Sequence, residues 1–239
     1  MKDLHSHILM GIDDGSKDIE TSIAILKKAQ KENVTDIMLT PHYIKGSIYN
    51  ANNNKKKSIL KQLQQEIKKE NIDIKLYLGN EIYADDDILD LLDSGEAATL
   101  NDSRYVLIEF PMRDRLQSDK DIIFKLITHN YIPIIAHPER YTYIQKDPSR
   151  IEEYLELGAL LQGNYLSLFS KYGKNAEKTL KTLIKNNQIS FLGSDIHRKD
   201  DNYNLKKLSK ILLKLTRSKT IVDSLMTSNF DKVIKNEEI

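Results

Sequence analysis

The chain has 239 residues, 40% of them hydrophobic, enough for one large core and about the length that a single α/β barrel needs. Basic and acidic residues nearly balance, 36 against 35, so the formal charge is +1 and there is no global electrostatic case for nucleic acid or polyanion binding. The absence of cysteine excludes disulfides, thiolate metal sites and cysteine nucleophiles, and it fits a reducing compartment.

Met1 is followed at once by charged residues, with no apolar core of signal-peptide length, and no later stretch approaches the ~20 apolar residues of a membrane span. The expectation is a cytoplasmic protein with no integral membrane segment. In chain order, short β-branched or aliphatic runs at 2–4, 34–39, 72–78, 105–110, 132–136, 160–163 and 189–192 predict buried strands. Amphipathic patterns near 19–31, 57–70, 86–92, 120–130, 150–157 and 176–186 predict helices between them. Repeated strand-then-helix order over residues 1–239, with no internal repeat or linker, predicts a single α/β domain built as a TIM-like parallel barrel of seven units. Two lysine-bearing helices, 53–69 and 205–214, are expected on the outside with solvated basic faces, the second packing through Leu205, Leu208, Ile211, Leu212 and Leu215. The asparagine- and lysine-rich stretch 49–57 is expected to be an exposed loop.

Candidate chemistry gathers where these strands end. His5 and His7 form a His-x-His pair after the first strand, a spacing that turns both imidazoles to one side. Asp13 and Asp14 follow, then His42 after the second strand, Glu81 after the third, Glu109 closing the fourth, His137 after the fifth, and Asp195 with His197 after the seventh. The C-terminal ends of barrel strands converge on one face, so these positions should meet in space. A single polar residue after a strand is commonly a cap or turn residue. Five of the six histidines at strand ends are poorly explained that way. The sixth, His129, lies late in a predicted helix and reads as a partner of the helix C-terminus.

So many imidazoles and carboxylates exceed the coordination of one ion, which implies two or three divalent ions bridged by carboxylates. Mixed N and O donors suit Mn, Fe or Zn better than Ca. Such a centre can lower the pKa of a bound water and neutralise the oxygens of a transferring phosphoryl group, which fits a phosphatase that has no cysteine. Arg140, three residues after His137, is placed to take two phosphate oxygens bidentately, its alternative being a salt bridge to Glu139 or another rim carboxylate. Arg198 is a second, weaker candidate, because it adjoins His197 and neighbouring residues diverge in direction.

The segments Asp-Leu-His-Ser-His from Asp3, Gly-Ile-Asp-Asp-Gly from Gly11, Gly-Asn-Glu-Ile-Tyr from Gly79, Thr-Leu-Asn-Asp-Ser-Arg-Tyr-Val-Leu-Ile-Glu-Phe from Thr99, Ala-His-Pro-Glu-Arg-Tyr from Ala136 and Ser-Asp-Ile-His from Ser194 run in order through most of the chain. In these the chain resembles the CpsB/YwqE-type bacterial tyrosine phosphatases of the polymerase and histidinol phosphatase (PHP) superfamily. The resemblance implies a distorted (β/α)7 barrel with three ions, usually manganese, with Fe, Zn or Mg as alternatives. It also implies a tyrosine-phosphorylated protein as partner, a cognate bacterial tyrosine kinase controlling capsule or exopolysaccharide synthesis. By resemblance, His5, His7, Glu81 and Asp195 hold one ion, Glu81, Glu109 and His137 a second, and Asp14, His42 and His197 a third, leaving Asp13 outside the set; Arg140 grips phosphate. Capsule-type members carry a second arginine a few residues beyond Asp-x-His, where this chain reads Arg198, Lys199, Asp200, Asp201, Asn202. Either Arg198 or Lys199 takes over that contact, or phosphate is held less firmly.

The alternatives are a PHP phosphatase for a small ester such as histidinol phosphate, and a docking module that masks a kinase tail without hydrolysing it. An amidohydrolase is disfavoured because that class usually places a modified lysine where this chain has Glu109.

Overall fold

The computed structural model describes residues 1–239. Its strands are β1 (Lys2–Asp3), β2 (Asp36–Leu39), β3 (His42–Tyr43), β4 (Lys75–Leu78), β5 (Glu81–Tyr83), β6 (Tyr105–Glu109), β7 (Ile132–Ala136), β8 (Leu160–Asn164) and β9 (Phe191–Gly193). Each of the seven expected strands is present, and β3 and β5 are short additions that resume β2 and β4 after a two-residue break. The breaks divide the sheet in two, with orders β1-β2-β4 and β3-β5-β6-β7-β8-β9. Every strand pair is parallel. The two ends of this curled sheet approach each other through an isolated parallel bridge between Ser6 and Ile196, supported by His7 N–H to Ile196 O at 3.0 Å and Asp195 N–H to His5 O at 2.8 Å. The architecture is therefore mixed α/β with a curled parallel sheet in two pieces.

The helices are α1 (Ile19–Lys31), α2 (Asn53–Lys69), α3 (Ile88–Asp93), α4 (Asp119–Thr128), α5 (Thr142–Lys146), α6 (Glu152–Glu156), α7 (Gly173–Lys185), α8 (Leu205–Thr216), α9 (Lys219–Asp223) and α10 (Asn229–Lys235). None is long and apolar enough to cross a membrane. The exposed loop expected over 49–57 is corrected from residue 53 onward. Asn52 accepts the amide of Lys55 at 3.0 Å as an N-cap, so the asparagine run starts α2 four residues earlier than its apolar periodicity suggests. The solvated basic face expected for this helix also has an exception, because Lys56 is fully buried. His129 is the C-cap of α4, and its ring Nδ1–H donates to the Lys125 carbonyl at 2.8 Å, as its position late in the helix implies.

Strand periodicity places the site. In β6, Val106 and Ile108 join the larger core between sheet and helices, whereas Tyr105 and Leu107 join a smaller cluster with Leu4, Met38, Ile134 and Phe191. That smaller cluster fills the inside of the curled sheet, consistent with strands buried on both faces. Two residues beyond Leu107 on the same row stands Glu109. The same step of two leads from Met38 through Thr40 to His42, from Tyr77 through Gly79 to Glu81, and from Phe191 through Gly193 to Asp195. Rows that are apolar at the bottom of the sheet thus carry the candidate ligands at its C-terminal edge.

Candidate metal centre

His137 breaks this pattern, since it directly follows the inward-facing Ala136 of β7. Its backbone is left-handed, φ 33° and ψ 55°, which swings the side chain into the centre at the cost of local strain. Asp195 is also left-handed at φ 50°. These are two of eleven non-glycine residues with positive φ in the chain, and both bring a side chain into the centre.

The His-x-His pair is held from behind. The Nδ1–H of His7 donates to Asp13 Oδ2 at 2.8 Å, and that of His5 donates to Gln162 Oε1 at 2.8 Å. With both Nδ1–H groups engaged, each ring when neutral turns a bare Nε2 lone pair toward the other across 3.0 Å. Carboxylate oxygens crowd the same point. Glu81 Oε2 lies 3.3 Å from each Nε2, and Asp195 Oδ1 lies 3.3 Å from His7 Nε2 and 3.6 Å from His5 Nε2. All four side chains are buried. Glu81 Oε2 has no hydrogen-bond partner although three imidazole nitrogens surround it, the third being His42 Nδ1 at 3.0 Å. A convergence of buried acceptors without a donor is what a cation satisfies. The carboxylates that would receive a cation favour ring protons for the same reason: burial by itself would depress His7, but Asp13, Asp195 and Glu81 outweigh it and hold the ring's pKa well above its ordinary value. Burial by itself would raise Glu81, yet His5, His42 and His137 hold it well below the carboxylate range.

Glu81 is the hub. Its Oε1 takes the opposite side of the cluster, 2.8 Å from His137 Nε2, and Glu109 Oε1 lies 3.7 Å from the same nitrogen. Burial, reinforced by the Arg140 charge, lowers the His137 pKa to about 4, so the ring is neutral and can offer a lone pair. Burial and the neighbouring Glu81 raise Glu109 to about 8. Toward solvent, Asp14 Oδ1 lies 3.6 Å from His42 Nε2 and 3.3 Å from His197 Nε2. Donor atoms of His7, Asp14, His42 and His197 all fall within 4.8 Å of one another, as do those of His5, His7 and Glu81, and of His42, Glu81 and Glu109. The nine ligands expected from the sequence are thus brought together, with His42 close to two groups at once.

Arg140 makes the alternative contact, a salt bridge to a rim carboxylate, with Asp195 and not Glu139 as the partner. Its guanidinium donates to Asp195 Oδ2 at 2.6 Å and lies over the Tyr172 ring, 4.3 Å from its centroid. Asn164 donates to the same Oδ2 at 2.9 Å, so Asp195 faces the imidazoles with one oxygen and the rim with the other. Arg140, Tyr172, Asp195, His197, Arg198 and Asp14 are among the residues lining a mouth of about 330 Å³. Arg198 is exposed there and in no ion pair, whereas Lys199 lines only the neighbouring groove beside Lys17 and Thr21.

Sequence reasoning did not single out Gln162, Asn164 or Tyr172 and gave Asp13 no role. For Gln162 and Asn164 a signal existed, because two amides on the inward row of an otherwise apolar strand are out of place. Asp13 stood among the candidates for its motif, but neither it nor Tyr172 carried a sign of its partner, since only folding sets them beside His7 and Arg140.

Residues 1–235 match the family described as capsular polysaccharide synthesis, CpsB/CapC. The putative tyrosine-protein phosphatase CapC of Staphylococcus aureus is 39% identical over 82% of this chain and 77% of its own length. The tyrosine-protein phosphatase YwqE of Bacillus subtilis is 31% identical over 100% of this chain and 93% of its own. Among solved structures, a chain from the study of YwqE of Bacillus subtilis and CpsB of Streptococcus pneumoniae, described as unique metal-dependent tyrosine phosphatases, superposes with a TM-score of 0.93 at 30% identity, covering 100% of this chain and 96% of that one. A histidinol phosphate phosphatase from Lactococcus lactis subsp. lactis, complexed with zinc, L-histidinol and phosphate, gives a TM-score of 0.60 at 17% identity over 90% and 94%, a likeness of fold alone.

Proposed function

The chain belongs to the CpsB/CapC family of capsular polysaccharide synthesis, and from that membership we propose a metal-dependent protein-tyrosine phosphatase whose substrate is phosphotyrosine on a protein. The observation that carries the metal reading is the unpartnered Glu81 Oε2, set among the nitrogens of His5, His7 and His42. His5, His7, Glu81 and Asp195 would hold one ion, Glu81, Glu109 and His137 a second, and Asp14, His42 and His197 a third, with manganese the metal best suited to the mixed donors. Bound there, the ions supply a nucleophile from water near neutral pH and neutralise charge on the phosphoryl oxygens.

The chain's own residues do the positioning. Asp13 and Gln162 fix the tautomers of His7 and His5. Arg140, lying over the Tyr172 ring and lining the mouth, has N–H groups to spare beyond its bond to Asp195, and these would take phosphate oxygens. Arg198 would add a second, more mobile contact from the same rim, filling the place of the second arginine that capsule-type relatives carry. We read the two sheet pieces as one distorted (β/α)7 ring and residues 1–239 as one domain. The substrate of choice would be a cognate bacterial tyrosine kinase of an exopolysaccharide system.

The test compares kcat/KM of the Mn-loaded chain for a phosphotyrosine peptide and for histidinol phosphate, before and after chelation. Chelator-sensitive turnover favouring the peptide is expected. A large preference for the small ester, or turnover that survives thorough metal removal, would overturn the reading.

A further inference from the structure

Helix α7 leaves the mouth of the metal centre and carries a strip of positive charge away from it. Its first residue follows Tyr172, the ring on which Arg140 rests. Ala176, Leu180, Leu183 and Ile184 are buried against the sheet. On the outer side Lys174, Lys178, Lys181 and Lys185 recur at steps of four, three and four, which places them on one face. At about 1.5 Å rise per residue they span about 16 Å, the length of roughly five residues of extended chain.

The charge is largely uncompensated. Lys181 pairs with Glu177, which also accepts the Ser170 hydroxyl. Lys174, Lys178 and Lys185 are exposed and make no ion pair. The groove of about 410 Å³ between α5 and α7, where Lys146 faces Lys178, is lined by no carboxylate. Helices α2 and α8 also carry lysine-rich faces, but α7 is the one that follows directly on Tyr172 at the rim of the mouth.

We infer that the outer face of α7 is a docking track for an acidic peptide segment flanking the phosphotyrosine. The inference rests on the protein-tyrosine phosphatase reading and narrows its substrate class. A row one helix wide and about 16 Å long matches a single extended strand better than a planar lipid surface. A segment leaving the mouth along α7 places its acidic side chains opposite Lys174, Lys178 and Lys185, and exposed charges of this kind act through encounter and orientation more than through contact area.

The experiment uses the full chain loaded with Mn. Labelled peptides carrying a non-hydrolysable phosphotyrosine mimic, flanked by five residues of either glutamate or glutamine, are titrated by fluorescence anisotropy against wild type and K174E/K178E/K185E. Turnover of p-nitrophenyl phosphate serves as the control for fold and metal loading. Wild type should bind the glutamate peptide about tenfold more tightly than the glutamine peptide at low salt, an advantage that shrinks at high salt. The triple variant should lose that preference with p-nitrophenyl phosphate turnover unchanged. Equal binding of the two peptides, a preference that survives in the variant, or variant-sensitive binding only to phosphatidylglycerol vesicles would overturn the inference. Preferential glutamate-peptide binding by a protein that hydrolyses no phosphotyrosine would uphold the track and sink the enzymatic reading.

Discussion

Asp13 accepts the Nδ1–H of His7 at 2.8 Å, and through the same oxygen it accepts the backbone amide of His42 at 3.1 Å. One carboxylate outside the proposed ligand set thereby fixes the tautomer of one proposed ligand and the backbone of another. Asp13→Asn should weaken Mn binding by about 10- to 100-fold, the range seen when such supporting partners are removed. Metal titration followed by calorimetry checks this, and unchanged affinity would show that His7 is oriented by packing alone.

Glu81 stands between His5, His7 and His42 on one oxygen and His137 on the other. Glu81→Gln removes the shared charge and should lower both the number of ions bound and turnover, the latter by about a thousandfold or more. Chelation of wild type should reproduce the loss and lower Tm, since ions that bind only the folded state stabilise it. Metal analysis and a thermal melt on the same samples read both effects.

Arg140 combines a charged hydrogen bond to Asp195 with a stack on Tyr172. Lysine keeps the charge and loses the planar fork. Arg140→Lys should therefore raise KM for phosphotyrosine peptides by about tenfold or more, whereas Arg198→Ala, at an exposed position, should cost less. Equal effects from the two variants would show that Arg198 shares the grip.

Lys56 is buried and donates to Asn80 Oδ1, which also accepts the amide of Ala98 at 2.9 Å. Burial, with a smaller contribution from Lys57, lowers its pKa from 10.5 to about 7. The unfolded chain then binds the proton more readily than the folded one between these values, so stability rises with pH from about 7 toward 10.5 and is flat below, where both states are protonated. Melts of chelated protein should show Tm rising from pH 7 to about 9 in wild type, and Lys56→Met should remove that contribution. An identical slope in the variant would assign it to other groups.

A Cβ added at Gly193 would meet His5 Cβ at 2.5 Å and Gln162 Nε2 at 2.8 Å. Gly193→Ala should destabilise the fold by about 1–3 kcal/mol and displace the His5–Gln162 pair, lowering metal affinity in the same variant. Denaturant unfolding and metal titration together separate the two consequences.

Much of the ligand set was legible because it obeys local rules. Strand-then-helix order puts polar residues after strands on one face, and the two-residue period carries Leu107 to Glu109 and Phe191 to Asp195 without knowledge of the fold. The same rule fails at His137, whose direction depends on a left-handed backbone, and at residues 49–57, where a capping asparagine outweighs the look of a loop. The apolar runs end where the sheet breaks, at Thr40 and Pro41 and at Gly79 and Asn80, but nothing in hydropathy shows that pairing resumes beyond them as β3 and β5.

The sequence by itself determined which donors exist, their order along the chain and their side of each strand, since these follow from backbone periodicity. Only the tertiary structure decided that His5 meets Gln162 across 157 positions, that His7 meets Asp13, and that Arg140 turns to Asp195 instead of Glu139. Those choices come from the closing of the sheet, which buries the groups together and leaves each lone pair and proton only the partners that the curvature brings within reach.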